Sequence, residues 1–178
     1  KNGNKGNIKV TRINDHIDEL RDALRTSVLG KDELKSIKKV EKKEAKEFEK
    51  KKKKLKKSDV EEGSNDTDAN LKKFYVLNFE GNVAADAVCS LREEITAVLS
   101  LATPRDEVIV RLESPGGMVH AYGLASSQLL RIKNQKIPLT ICVDKVAASG
   151  GYMMACLADK LVAAPFSIIG SIGVLVQL

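Results

Sequence analysis

Apolar residues recur along this chain with two periods, and the change from one to the other divides it. In "NDHIDELRDALRTSVLG", Ile17, Leu20, Leu24 and Val28 fall on one helical face, with Asn14 or Asp15 placed to cap the start and Gly30 the end. The preceding "IKVTRI" alternates like a short strand. Over residues 31–57 the apolar positions thin to Leu34, Ile37, Val40, Phe48 and Leu55 among Lys and Glu, with several Glu–Lys neighbours at helical spacing. This pattern predicts an exposed helix that frays toward residue 57. "SDVEEGSNDTDAN", residues 58–70, is acidic and polar and reads as a linker.

From Leu71 to Leu178 the period alternates between two and 3.6. "KFYVLNFEG" predicts a strand, and Val88, Leu91, Ile95, Val98 and Leu99 mark the apolar face of a helix. "DEVIVRLES" reads as a continuous apolar strand, as expected where both faces of a parallel sheet are covered. "SPGG" is a turn, "MVHAYGLASSQLLRIKN" a helix and "IPLTICVD" a strand. "ASGGYMMACLAD" predicts a helix, "KLVAAP" a short strand and "SIIGSIGVLVQ" a further strand. Strands alternating with helices predict an α/β fold, a parallel sheet with right-handed helical crossovers, preceded by a charged helical extension.

Charge sharpens this division. The chain of 178 residues carries a net charge of +6, but residues 31–57 alone hold 14 lysines against six acidic residues. Residues 71–178 hold ten basic and nine acidic groups, so the basicity belongs to the extension, and a nucleic-acid partner is not expected for the α/β part. Cys89, Cys142 and Cys156 show no CxxC spacing, so free, buried thiols are expected rather than a zinc site or disulfides. No metal or organic cofactor is indicated. No run of about 18–20 apolar residues and no signal peptide is visible. The chain starts at Lys1 and ends inside an apolar run, so it reads as an excerpt of a longer protein.

Three motifs could carry chemistry. In "LESPGGMV" a strand ends, Pro115 breaks it, and Gly116 and Gly117 permit positive φ and a close backbone approach. Amides there could face a developing oxyanion, although an ordinary strand-to-helix turn has the same sequence. In "KVAASGGYMMACLAD", Ser149 lies between small residues at a strand-to-helix junction, where free N–H groups and the helix dipole favour negative charge. The Gly150 N–H could be a second oxyanion donor. Ser149 could equally be a plain N-cap. In "APFSIIGSIGV", Ser171 sits between glycines, as either a hydroxyl that holds an amine or an incidental serine in a bend. The first two motifs end successive strands of one parallel sheet, which is where such sheets build sites. A nucleophilic serine needs a base. His16 lies in the extension, His120 reads as a surface or groove histidine, and Lys145 and Lys160 flank turns as solvated charges. Met118, Tyr122 and Leu124 are groove candidates.

In order and spacing, "SPGGMVHAYGLASSQL", "VDKVAASGGYMMACLADKLVAAP" and "GSIGV" resemble the S49 peptidase family, the signal peptide peptidase A group, and within it the SohB branch. The likeness covers about residues 74–178, and "KVTRINDHIDELRDAL" with the Lys-rich helix is similar to the amino-terminal region of that branch. The resemblance implies a ClpP/crotonase-like fold and a serine endopeptidase using a Ser–Lys dyad. Ser149 would be the nucleophile, Gly116 or Gly117 with Gly150 the oxyanion hole, and Ser171 the partner of the lysine. The lysine would lie beyond "GSIGV", so the chain alone would be inactive. The family further implies peptide substrates, a homo-oligomeric ring, and an inner-membrane anchor outside this chain with a periplasmic catalytic part. A crotonase-like acyl-CoA enzyme, a ClpP-type Ser–His–Asp peptidase and a non-catalytic scaffold are the alternatives. The second wants a histidine after Pro165, where "FSIIGSIGVLVQL" has none.

Overall fold

The structure, a computed structural model, describes residues 8–58 and 71–173. Residues 1–7 and 174–178, the latter holding the end of the expected last strand, and most of the expected acidic linker (59–70) lie outside the described residues. The chain divides into two units near residue 71.

The first unit is two helices, α1 (Ile13–Val28) and α2 (Lys31–Ser58). Residues 8–12 form no strand. Arg12 occupies the N-cap of α1 without a side-chain cap bond, and Asp15 lies inside the first turn, where its charge suits the helix end. Gly30 serves the next helix instead of ending this one. Its carbonyl accepts the first helical bond, from the N–H of Leu34 at 3.0 Å, and its N–H donates to the Glu33 carboxylate at 3.3 Å, one half of a capping box. Arg25 bridges to Glu41 at 2.6 Å and so ties α1 to α2. The guanidinium is held above its ordinary pKa, first by its hydrogen bond to Glu41.

The second unit runs β1 (Phe74–Glu80), α3 (Val88–Leu99), β2 (Glu107–Glu113), α4 (Val119–Asn134), β3 (Leu139–Val143), β4 (Val146–Ala148), α5 (Gly150–Ala155), β5 (Lys160–Ala163) and β6 (Ile168–Gly170). The main sheet has the order β1-β2-β3-β5, all parallel, and β4 pairs with β6 in a second parallel sheet. This is the α/β class that the alternating periods predict. A backbone bridge from Ser114 to Ala147 links the end of β2 to the second sheet.

The core is built from one face of the main sheet. Leu77, Phe79, Val108, Val110, Leu112, Leu139, Ile141 and Val143 pack with Leu91 and Ile95 of α3 and Tyr122, Leu129 and Ile132 of α4. β2 departs from the expectation that both faces are covered. Val108, Val110 and Leu112 are buried, whereas Glu107, Ile109, Arg111 and Glu113 point to the other face. Ile109 on that second face hides the alternation from a sequence reading. Polar pairs cross this face: Glu107 accepts from Lys72 at 2.7 Å and from Thr140 at 2.6 Å, Arg111 lies 3.5 Å from Asp144, and Lys145 lies 3.0 Å from Glu113.

The buried Asp106 fastens the start of the sheet. Its carboxylate accepts the N–H of Lys73 at 2.8 Å, and the N–H and hydroxyl of Thr103 at 2.8 and 2.9 Å. Burial alone would raise its pKa, but the hydrogen bonds outweigh it and hold the carboxyl below its ordinary value. The cysteines are free but not buried as expected: Cys89 and Cys156 are exposed and Cys142 is half-buried. Their places on the outer side of α3, at the end of α5 and on the open face of β3 explain this.

Candidate functional site

The site lies where β2 and β4 end. β4 brings the chain to Ser149, and α5 begins at the next residue. The turn is so tight that Ser149 takes φ +52° and ψ −116°, a region that residues with a Cβ rarely occupy. Its backbone is held from both sides. The N–H donates to the Gly170 carbonyl at 2.9 Å, and the carbonyl accepts from Met153 at 3.0 Å. Its side chain makes no capping bond, so the plain N-cap alternative does not describe it. The residue is half-buried, with no hydrogen bond to its hydroxyl among the described residues. α5 has only six residues, so any stabilisation of charge here comes from individual amides more than from a long helix dipole.

The "SPGG" turn stands against this corner. Gly116 has φ +94°, and a Cβ on it would lie 2.5 Å from the Ser149 Cβ and 2.7 Å from the Ala148 carbonyl oxygen. Glycine is therefore required twice over, by conformation and by space. A Cβ on Gly117 would instead run into the backbone of Val83. The Gly116 N–H already donates to the Ser114 hydroxyl at 3.1 Å. Met118 N–H donates to Val83 O at 2.9 Å. Between these two anchored amides, the N–H of Gly117 has no acceptor among the described residues, nor has that of Gly150.

The second sheet brings in the third motif. Ala148 pairs with Gly170, so Ser149 and Ser171 are the next residues along adjacent strands. Ser171 also has positive φ, +55°, and is exposed. The structure thus gathers Ser149, Gly116, Gly117, Gly150 and Ser171. Met118 is exposed at the edge of the turn and so is available to a groove, as is Leu124 farther along α4. Tyr122 is not: it is completely buried, so the groove expectation for it is corrected. Position 122 lies on the same helical face as Ala125, Leu129 and Ile132, which turns it into the core.

The candidate bases near the site fare as the sequence suggests. His120 is exposed in the first turn of α4. Lys145 is hydrogen-bonded to both carboxylate oxygens of Glu113 at 3.0 Å, which raises its pKa, the opposite of what an amine base needs. Lys160 is exposed on β5. No group of metal-ligating side chains forms among the described residues. The sequence reading missed Ser114 and Asn82, whose polar contacts hold the turn. The signal for Ser114 was its place at the strand end, immediately before Pro-Gly-Gly.

In this α/β protein a serine in a strained strand-to-helix corner thus stands beside a diglycine turn, and the amides of Gly117 and Gly150 lack acceptors among the described residues. Comparison with known proteins places the chain more narrowly. The family description "Peptidase family S49 N-terminal" matches residues 1–129, and "Peptidase family S49" matches residues 131–178. The chain is 44% identical over 178 residues to a "Putative protease SohB" of Buchnera aphidicola subsp. Baizongia pistaciae, covering 99% of this chain and 50% of the relative. It is 56% identical over 119 residues to a "Probable protease SohB" of Haemophilus influenzae, covering 67% of this chain and 34% of that one. Among solved structures, a ClpP1 mutant from Listeria monocytogenes is similar with a TM-score of 0.38 and 19% identity, over 48% of this chain and 46% of that one. The chain belongs to peptidase family S49. It spans between about a third and a half of the length of these two curated relatives.

Proposed function

We propose that this chain carries the nucleophile and oxyanion hole of a serine endopeptidase that works with a Ser–Lys dyad. The observation that carries the reading is the Ser149 hydroxyl, free of a capping bond and projected by a positive-φ corner against the Gly116–Gly117 turn. Ser149 Oγ attacks the peptide carbonyl. The N–H groups of Gly117 and Gly150 receive the oxyanion, and a donor of this kind is worth about 10²–10³ in kcat. A neutral lysine amine, supplied from outside the described residues, takes the Oγ proton and returns it to the leaving amine, after which water releases the acyl group. Ser171, beside Ser149, orients that amine. Such a lysine must be buried enough to bring its pKa toward about 7–8. Without it the chain is inactive.

Peptides are the substrates, signal-peptide remnants or segments of membrane proteins among them, and the working form is a homo-oligomeric ring at the inner membrane with its catalytic part on the periplasmic side. Among the described residues no helix is long and apolar enough to cross a membrane, so the anchor in this reading lies elsewhere. The test is casein or signal-peptide cleavage by the full-length protein and its Ser149→Ala variant. The expected result is loss of cleavage with an unchanged unfolding curve. Full activity in the variant removes Ser149 from the mechanism.

A further inference from the structure

Tyr122 is buried on every side, yet it keeps a hydroxyl where phenylalanine would fill the same space. Its ring stands edge-on to Phe79 with centroids 6.4 Å apart. It also lies so close to Gly150 that a Cβ there would enter the ring. Its hydroxyl touches two oxygens, 2.7 Å from the Asn82 carbonyl and 2.6 Å from Ser114 Oγ. A carbonyl can only accept, so the tyrosine proton goes to Asn82. The Ser114 hydroxyl must then donate to Tyr122, while it accepts the N–H of Gly116 at 3.1 Å. The result is one directed chain, from Gly116 N–H to Ser114 O–H to Tyr122 O–H to the Asn82 carbonyl, with each proton used once.

This chain joins the segments that form the site. Asn82 follows β1, Ser114 and Gly116 follow β2, and Tyr122 belongs to α4. Ser114 also binds β4 through its backbone, donating to Val146 O at 2.9 Å and accepting from Ala148 N at 3.0 Å. The ring of Tyr122 meanwhile supports Gly150, the residue after Ser149. One aromatic side chain therefore braces both the diglycine turn and the serine corner.

We propose that Tyr122, acting through Ser114, is a positioning residue that sets the Gly117 amide and the Ser149 corner in register for oxyanion stabilisation. The proposal rests on the peptidase reading above. Tyr122→Phe keeps the packing but leaves the Ser114 proton without an acceptor and the Asn82 carbonyl without a donor. Ser114→Ala frees the Gly116 amide. A displaced donor costs less than a deleted one, and a misplacement of about 1 Å costs up to about 100-fold.

The experiment measures kcat, KM and thermal unfolding for the full-length protein, Ser149→Ala, Tyr122→Phe, Ser114→Ala and the Tyr122→Phe/Ser114→Ala double variant. It adds inhibition by a peptide aldehyde, which forms a tetrahedral adduct with a serine nucleophile. The expected result is a fall in kcat of about 10- to 100-fold in each single variant, with KM within about threefold. Aldehyde affinity should weaken in step with kcat, and the double variant should be no worse than the poorer single, because both remove the same chain. If the wild type is active and Ser149-dependent while both single variants retain kcat within twofold, the positioning role is wrong. It is equally wrong if their losses only track the unfolded fraction. Cleavage that survives Ser149→Ala removes the peptidase reading, and the positioning role with it.

Discussion

Ser149 stores backbone strain, and that strain can be measured without any substrate. Two substitutions separate it from the side chain's chemistry. Ser149→Ala removes the hydroxyl but keeps a Cβ at φ +52° and ψ −116°, whereas Ser149→Gly removes both. Holding a residue with a Cβ in this region costs about 1–3 kcal/mol. Glycine escapes that cost but gives up about 0.5–1 kcal/mol through its freer unfolded chain. The Ser149 hydroxyl makes no hydrogen bond among the described residues, so its loss in either variant should cost little. At the middle of both ranges the difference leaves Ser149→Gly more stable than Ser149→Ala by about 1 kcal/mol. Equilibrium urea unfolding reads this as a higher midpoint at unchanged slope. A glycine variant equal to or less stable than the alanine variant would refute the strained corner, and with it the physical reason for reading Ser149 as presented for attack.

Other outcomes follow from the same geometry. Gly116→Ala should destabilise by about 2–4 kcal/mol in the same urea assay, since its Cβ meets backbone and side-chain atoms and its φ is +94°. Asp106, Glu107 and Asp159 all have pKa values held below their ordinary range: Asp106 by hydrogen bonds that outweigh burial, Glu107 first by Lys72, and Asp159 first by Lys133. Their stabilising contribution is therefore complete above the unfolded-state carboxylate pKa, about 4, and is lost as pH falls through the lower folded values. Urea midpoints should drop from pH 5 toward pH 2, and Asp106→Asn should flatten that slope while lowering stability at pH 7. Lys145→Met should leave cleavage by the full-length protein within about twofold, because its amine is engaged by Glu113 and its pKa is raised. A loss of 100-fold or more would make Lys145 part of the chemistry.

The sequence makes the elements of the α/β unit legible because periods of two and 3.6 separate cleanly there. β1, β3 and α4 stand close to where their patterns put them. Pattern fails where tertiary context decides. β2 reads as buried on both faces because Ile109, on the polar face, completes an apolar run. The expected helix across 148–159 shrinks to the six-residue α5, because Ala148 pairs with Gly170 as the end of β4 and Ser149 is the strained corner between them. Residues 8–12 alternate in polarity but have no strand partner, so α1 simply follows them.

The site divides in the same way. Small neighbours around Ser149 and the Pro-Gly-Gly break are visible in the letters. Gly116 and Gly117 look interchangeable there, yet one amide is bound to Ser114 and the other has no acceptor among the described residues. Nothing in the sequence marks a serine for positive φ, a conformation that propensity assigns to glycine or asparagine. An aromatic residue at position 122 suits a groove or a core equally well in sequence, and only the helical face it shares with Leu129 and Ile132 decides.

The central claim, that Ser149 Oγ is the attacking atom, is tested most directly by a covalent probe. The full-length protein is treated with a fluorophosphonate, digested and mapped by mass spectrometry. A stoichiometric adduct on the peptide containing Ser149, formed in step with loss of peptidase activity, is the predicted result. An adduct on Ser171 or on another residue, with Ser149 unmodified in fully inhibited protein, would contradict it.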